Sequence, residues 1–198
     1  MIQSKLIKNY KNISHGFFNK QDGYSKGIYK SLNCGIGSKD KKIHVKKNLN
    51  KVCKKIGCST KNLVLLKQIH SNKVYVINKK PIKKLKGDSI ITNKKRIALG
   101  ILSADCAPVF IFDPKNNFIG AIHAGWKGVY KKIISKTLNN FKNKGSKINN
   151  LIAVIGPCIT KQNYEVKRDF FNKFVNQDKR NNNFFFIKKK KFFFSLNE

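Results

Sequence analysis

An α/β fold with a mixed sheet is what this 198-residue sequence predicts, and three observations carry that prediction. Strand-like and amphipathic helical runs interleave without the regular βαβ alternation of a doubly wound parallel sheet. Near the centre, the apolar runs Val109-Phe-Ile-Phe and Phe118-Ile-Gly-Ala-Ile-His flank Asp113-Pro-Lys-Asn-Asn, a turn sequence that makes them an antiparallel hairpin. Val45, Leu49, Val52 and Ile56 recur at spacings of four, three and four, the period of a helix with one buried face.

The elements follow in order. Residues 1–37 mix short polar and apolar pieces around His15-Gly-Phe-Phe and Asp22-Gly-Tyr-Ser, which are strand ends and turns. The first clear helix runs from about His44 to Ile56, and Gly57 stops it. Leu63 to His70 and Lys73 to Ile77 are strand-like runs on either side of Ser71-Asn72. Ser89 to Thr92 and Ile97 to Leu102 continue the β pattern into the hairpin. Gly125 and Gly128 mark the exit into a helix from about Val129 to Asn140. A buried strand, Leu151 to Ile155, ends at Gly156-Pro157, and Asn163 is placed to cap a helix reaching about Val175. Beyond Asp178, Lys and Asn runs alternate with Phe184-Phe-Phe and Phe192-Phe-Phe, rings that something must cover. The length suits one domain over residues 1–198.

A net charge of +34, from 43 Lys and Arg against 9 acids, would ordinarily suggest a nucleic-acid partner. Only Arg96, Arg168 and Arg180 are arginines, whereas readers of bases favour Arg for bidentate contacts. The Lys excess is spread along the chain beside many Asn, Ile and Phe, all with A/T-rich codons. We therefore expect no specific nucleic acid, and a positive surface that attracts small anions such as phosphate. An apolar leader and an eighteen-residue apolar run are both missing from the sequence, so a cytoplasmic protein with no membrane partner is expected. Five cysteines, an odd number at irregular spacing, are expected as reduced thiols, with Cys53 and Cys58 as small core residues.

Chemistry concentrates at the open end of the hairpin. Pairing Asp113 with Phe118 puts His123 opposite Pro108, two residues from Cys106, so the thiol and imidazole lie at one end. His70, at the end of its strand-like run, is the natural third ligand. A thiolate and two imidazoles suit zinc, with a fourth position left for water or substrate. His44 is expected on the surface, and His15 as a residue able to line a pocket. Spacing alone leaves two readings open: a metal site, or a Cys106 nucleophile with His123 as base in a metal-free hydrolase. Among the few acids, Asp105 adjoins Cys106, where it would orient a ligand or act as a base, while Asp88 is either a site residue or a turn cap.

Six segments, Ser31-Leu-Asn-Cys-Gly35, Leu66-Lys-Gln-Ile-His70, Gly87-Asp-Ser-Ile-Ile-Thr92, Ser103-Ala-Asp-Cys-Ala-Pro108, His123-Ala-Gly-Trp-Lys-Gly128 and Ile155-Gly-Pro-Cys-Ile159, together resemble the YfiH-like laccase-domain family. The resemblance implies a mixed sheet layered with helices and a metal on His70, Cys106 and His123. It implies zinc-dependent phosphorolysis of adenosine, inosine and S-methyl-5'-thioadenosine, with adenosine deamination as a second activity. The family's older label keeps copper and polyphenol oxidation as an alternative. Asp105 and Cys106 are the expected catalytic residues. Asn33 and Gln68 are expected on the nucleoside, and Lys127 and Gly128 on phosphate at a helix start. Where the family commonly carries Trp-Arg-Gly this chain has Trp126-Lys127-Gly128, which keeps charge but loses the bidentate fork. The family pattern also continues past the point matching Phe194-Ser-Leu, so the chain is expected to lack its C-terminal segment.

Overall fold

The computed structural model describes residues 1–196. Ser4 caps a single-turn α1 (Lys5–Lys8), and α2 (Lys42–Lys55) is the expected helix, stopped at Gly57 with φ 72°. Then come β1 (Leu63–Leu65), β2 (Val74–Val76), β3 (Ser89–Thr92), β4 (Ala98–Gly100), β5 (Ala107–Asp113) and β6 (Phe118–Ala124). The hairpin register is as the turn chemistry requires: Asp113 faces Phe118 and Pro108 faces His123. The turn is closed by Asp113, whose carboxylate accepts from Lys115 N, Asn116 N and Asn116 Nδ2.

These strands build a five-stranded sheet in the order β2-β3-β6-β5, completed by β7 (Ile152–Ile155). β2 runs parallel to β3 and the other pairs are antiparallel, so the sheet is mixed, as expected. Alternation sends Ile91, Val109, Ile111 and Ile122 to one face, where Ile133 and Phe141 of α4 (Ile133–Asn143) cover them. Each such side chain contributes roughly 1.5–3 kcal/mol by leaving water. Val64, Leu66, Ile77, Ile90 and Ala121 form a second cluster on the other face, beneath the parallel pair β1–β4. α4 packs so close that a Cβ at Gly120 would lie 2.9 Å from Phe141 Cε2. Gly120→Ala should therefore cost about 1–3 kcal/mol of stability, readable as a lower urea midpoint at unchanged m-value.

Four expectations need correction. The helix after the hairpin is two helices, α3 (Trp126–Tyr130) and α4, separated by Lys132 in a left-handed conformation with φ 60°. β7 is an edge strand among the described residues, and alternate side chains on one of its faces are exposed, Ile155 to 48%. The strand-like run ending at His70 stops at Leu65. Asn163 caps no helix: its side chain donates to Thr160, a two-residue β8 (Glu165–Val166) intervenes, and α5 (Arg168–Gln177) starts after Lys167.

The tail finds its cover within the chain. β9 (Phe185–Lys188) and β10 (Lys191–Phe194) form a hairpin that β8 extends. Phe185 and Phe194 pack on Phe170 and Phe174 of α5 at ring separations of 5.0 to 6.1 Å. Trp126 and Tyr130 of α3 complete the layer, 5.0 Å from Phe170 and 5.2 Å from Phe174. Cys53 is buried as expected, while Cys58 is half-buried. Among the described residues, no helix is long and apolar enough to cross a membrane.

Candidate metal centre

Asp88 stands immediately before β3 and is fully buried. Its carboxylate accepts from His70 N (3.0 Å), Ser71 N (2.7 Å), Ser71 Oγ (2.7 Å) and Ile69 N (3.2 Å), tying down the whole turn after β1. That turn carries His70 at φ 55°, a left-handed conformation uncommon outside glycine and held here by those hydrogen bonds. The same Oδ1 lies 2.9 Å from His123 Nδ1 on β6. Burial pushes the Asp88 carboxyl up, but hydrogen bonds from Ser71, His123 and Ile69 overcome this and hold it below the usual carboxylate range. Ionised Asp88 accepts the His123 Nδ1 proton, which leaves Nε2 with a free lone pair. This carboxylate–histidine pairing orients metal ligands in many proteins.

The ligand atoms of His70, Cys106 and His123 all lie within 4.8 Å of one another. Cys106 Sγ is 3.9 Å from His70 Nε2, and the two imidazoles meet edge to face at 4.8 Å. Tetrahedral zinc places N and S donors roughly 3.5 Å apart, so the Cys106–His70 pair needs to close by only a few tenths of an ångström, and the widest separation among the three donors by about an ångström. The donors therefore fit zinc in number and type, and one ion can gather them after that adjustment. Two glycines make the room: a Cβ on Gly125 would sit 2.7 Å from Cys106 Sγ, and one on Gly128 would sit 3.2 Å from Ser71 O. Burial, reinforced by the Asp105 and Asp88 carboxylates, raises the Cys106 thiol above its ordinary value. That environment opposes a free thiolate nucleophile, whereas a bound dication would favour the thiolate. Burial lowers His123, outweighing the Asp88 contact, so its ring is neutral as a ligand must be.

The other expected site residues divide. Asp105 is exposed beside Cys106, and its backbone carbonyl accepts from Ile159 N (2.9 Å), which docks the Gly156-Pro-Cys158 loop against the site. Orienting a histidine falls to Asp88 instead, which is both turn cap and site residue. Gln68 clasps Leu102, donating to its carbonyl (2.7 Å) and accepting from its N–H (2.9 Å), so both ends of its amide serve the chain. Asn33 donates to Ser38 and Asp40 and accepts from Gly35 N, again within its own loop. Lys127 is exposed with its ammonium 5.5 Å over the Trp126 ring. Gly128 lies in α3, five residues long, so its helix dipole is slight. His44 is half-buried, 3.8 Å from Asp40. His15 lies in a different cavity, lined by none of the three ligands. Tyr164 was not singled out by any local pattern, yet burial and the nearby Cys106 and Asp105 push its phenol up to about 12.

The family model described as multi-copper polyphenol oxidoreductase laccase matches residues 14–198. Among curated relatives, purine nucleoside phosphorylase YlmD of Bacillus subtilis is 34% identical over 178 residues, covering 84% of this chain and 64% of that protein. A purine nucleoside phosphorylase of Rickettsia conorii is 39% identical over 120 residues, 61% of this chain and 49% of its own length. The chain thus spans about half to two thirds of these relatives. The crystal structure of YfiH from Bacillus licheniformis superposes with a TM-score of 0.82 at 28% identity, covering 89% of this chain and 71% of that one. With the same fold, and with the matched region holding every residue of the candidate centre, the chain belongs to the YfiH-like laccase-domain family.

Proposed function

We propose that the chain carries the zinc centre of a purine nucleoside phosphorylase, acting on adenosine, inosine and S-methyl-5'-thioadenosine with phosphate, and deaminating adenosine as a second activity. The observation that carries this reading is the buried Asp88, which fixes the His123 tautomer and the His70 turn together, so that three donors converge. The names of the relatives supply the substrate class. In phosphorolysis the bond from C1' to the purine nitrogen breaks, a bond from C1' to a phosphate oxygen forms, and the base leaves with one proton. Asp105, exposed beside Cys106, would pass that proton. Lys127, in the first turn of α3, supplies positive charge where phosphate is proposed to bind with the Gly128 backbone. Gln68 and Asn33 shape the surrounding loops through the backbone contacts described above. Zinc on His70, Cys106 and His123 would supply Lewis acidity and an activated water, the chemistry that deamination at the purine 6-position requires.

Two readings weigh less. A metal-free Cys106–His123 hydrolase needs a lowered thiol, and this thiol is raised. Multicopper oxidation needs several copper sites, and among the described residues one His/Cys cluster has ligand geometry. The deciding assay is release of free base from adenosine and inosine by purified protein of measured zinc content, with and without phosphate. Release that depends on phosphate is the expected result. A zinc-loaded, folded protein that releases no base under any of these conditions would overturn the phosphorylase reading.

A further inference from the structure

At the turn end of the β5–β6 hairpin, on the sheet face opposite α4, lies a cavity of about 690 Å³ that none of the three proposed ligands lines. Its volume falls within the range typical of small-molecule sites. The wall is apolar, with Ile13, Leu99, Phe110, Phe112 and Ile119 among the lining residues. Such a wall suits a hydrocarbon body and offers nothing to a sugar–phosphate backbone.

Two features of its polar part point to a charged head group. His15 lines the cavity and is only 6% exposed. Its Nε2 accepts from Ser4 N at 2.8 Å, so a neutral ring carries its proton on Nδ1. Burial lowers the ring below the usual histidine range, which keeps it neutral, and Nδ1 makes no hydrogen bond among the described residues. Nδ1 is not closed off from solvent, so a ligand that enters the cavity can meet an unpaired donor there. Lys94, Lys95 and Arg96, on the β3–β4 loop, line the same cavity, and no Asp or Glu lines it. The lining is therefore cationic and donor-bearing, with no carboxylate to compete.

We propose that this cavity binds an amphipathic carboxylate of medium chain length, its aliphatic body against the Phe110–Phe112 wall and its head group met by the Lys94–Arg96 cations and the His15 N–H. The site is separate from the metal centre, and its test needs no enzymatic activity.

The test is calorimetry on the purified protein at physiological salt, with decanoate as probe and decanol and acetate as its body-only and head-only controls. Losing a charge-assisted hydrogen bond weakens binding by about tenfold or more. Decanoate should therefore bind at a single site, with decanol and acetate each at least about tenfold weaker. Arg96→Gly removes one cation at a position with φ 64°, a conformation glycine adopts freely, so the fold should stand while decanoate affinity drops severalfold. Leu99→Trp should block the cavity and abolish binding. Equal affinity for decanol would overturn the head-group assignment and with it the proposal, and decanoate binding unchanged in Leu99→Trp would overturn it by placing the binding outside the cavity. Should Leu99→Trp fail to fold, the His15 ring resonances of the unmutated protein decide. A shift on adding decanoate supports the site, and unchanged resonances at saturation overturn it.

Discussion

Replacing Cys106 with alanine should strip the protein of its metal and lower phosphate-dependent base release by at least about 100-fold, while the fold remains. Loss of a partner one step removed from a metal commonly costs 10–100-fold in affinity or activity, so loss of a direct ligand should reach or exceed the upper end of that range. The side chain is half-buried and small, and it precedes β5 rather than lying within the core clusters. Its truncation should therefore cost no more than about 1 kcal/mol of stability in the metal-free protein. Metal analysis and melting curves with and without chelator separate the two effects. A Cys106→Ala protein that keeps stoichiometric zinc would remove Cys106 from the ligand set.

Asp88→Ala should be the most destabilising single change near the site, about 3–5 kcal/mol, because it leaves a buried histidine and the turn amides without their acceptor. Five donors lose one carboxylate: the Ile69, His70 and Ser71 amides, the Ser71 hydroxyl and His123 Nδ1. Asp88→Asn distinguishes structure from ligand orientation. Its amide oxygen can still accept from His123, but its NH2 group faces the Ser71 amide, a donor. We expect the asparagine protein to fold with a smaller loss, about 1–3 kcal/mol, and to bind zinc some 10–100-fold more weakly. Unchanged zinc affinity in a folded Asp88→Asn protein would reduce Asp88 to a turn cap.

The hairpin was legible because its determinants are local. A strong turn sequence between two alternating runs sets the register, and the register alone brings Cys106 and His123 to one end. What escaped the sequence depends on distant partners. Asp88 could be singled out as one of few acids, but its role rests on a histidine 35 residues away and a turn 17 to 19 residues away. Asn163 has the chemistry of a cap, yet the chain there is drawn into β8 by pairing with Phe192 and Phe193. Leu151 to Ile155 is uniformly apolar, and only the strand order reveals that it lies at an edge. The break at Lys132 lies inside a pattern that would support a continuous helix. Gln68 and Asn33 are polar residues in family motifs whose hydrogen bonds turn inward to hold the chain.

The aromatic layer of residues 164–194 has one more implication. Nearly all its ring contacts are internal, between α5 and the β9–β10 hairpin, and its ring contacts to the rest of the molecule pass through Trp126 and Tyr130. A segment with dense internal packing and a narrow attachment opens as a cooperative unit of its own, at lower free energy than global unfolding. Trp126 directly follows Gly125, the glycine whose closeness lets Cys106 and His70 meet. The C-terminal unit thus rests on a ring one residue away from the glycine against which Cys106 and His70 are packed.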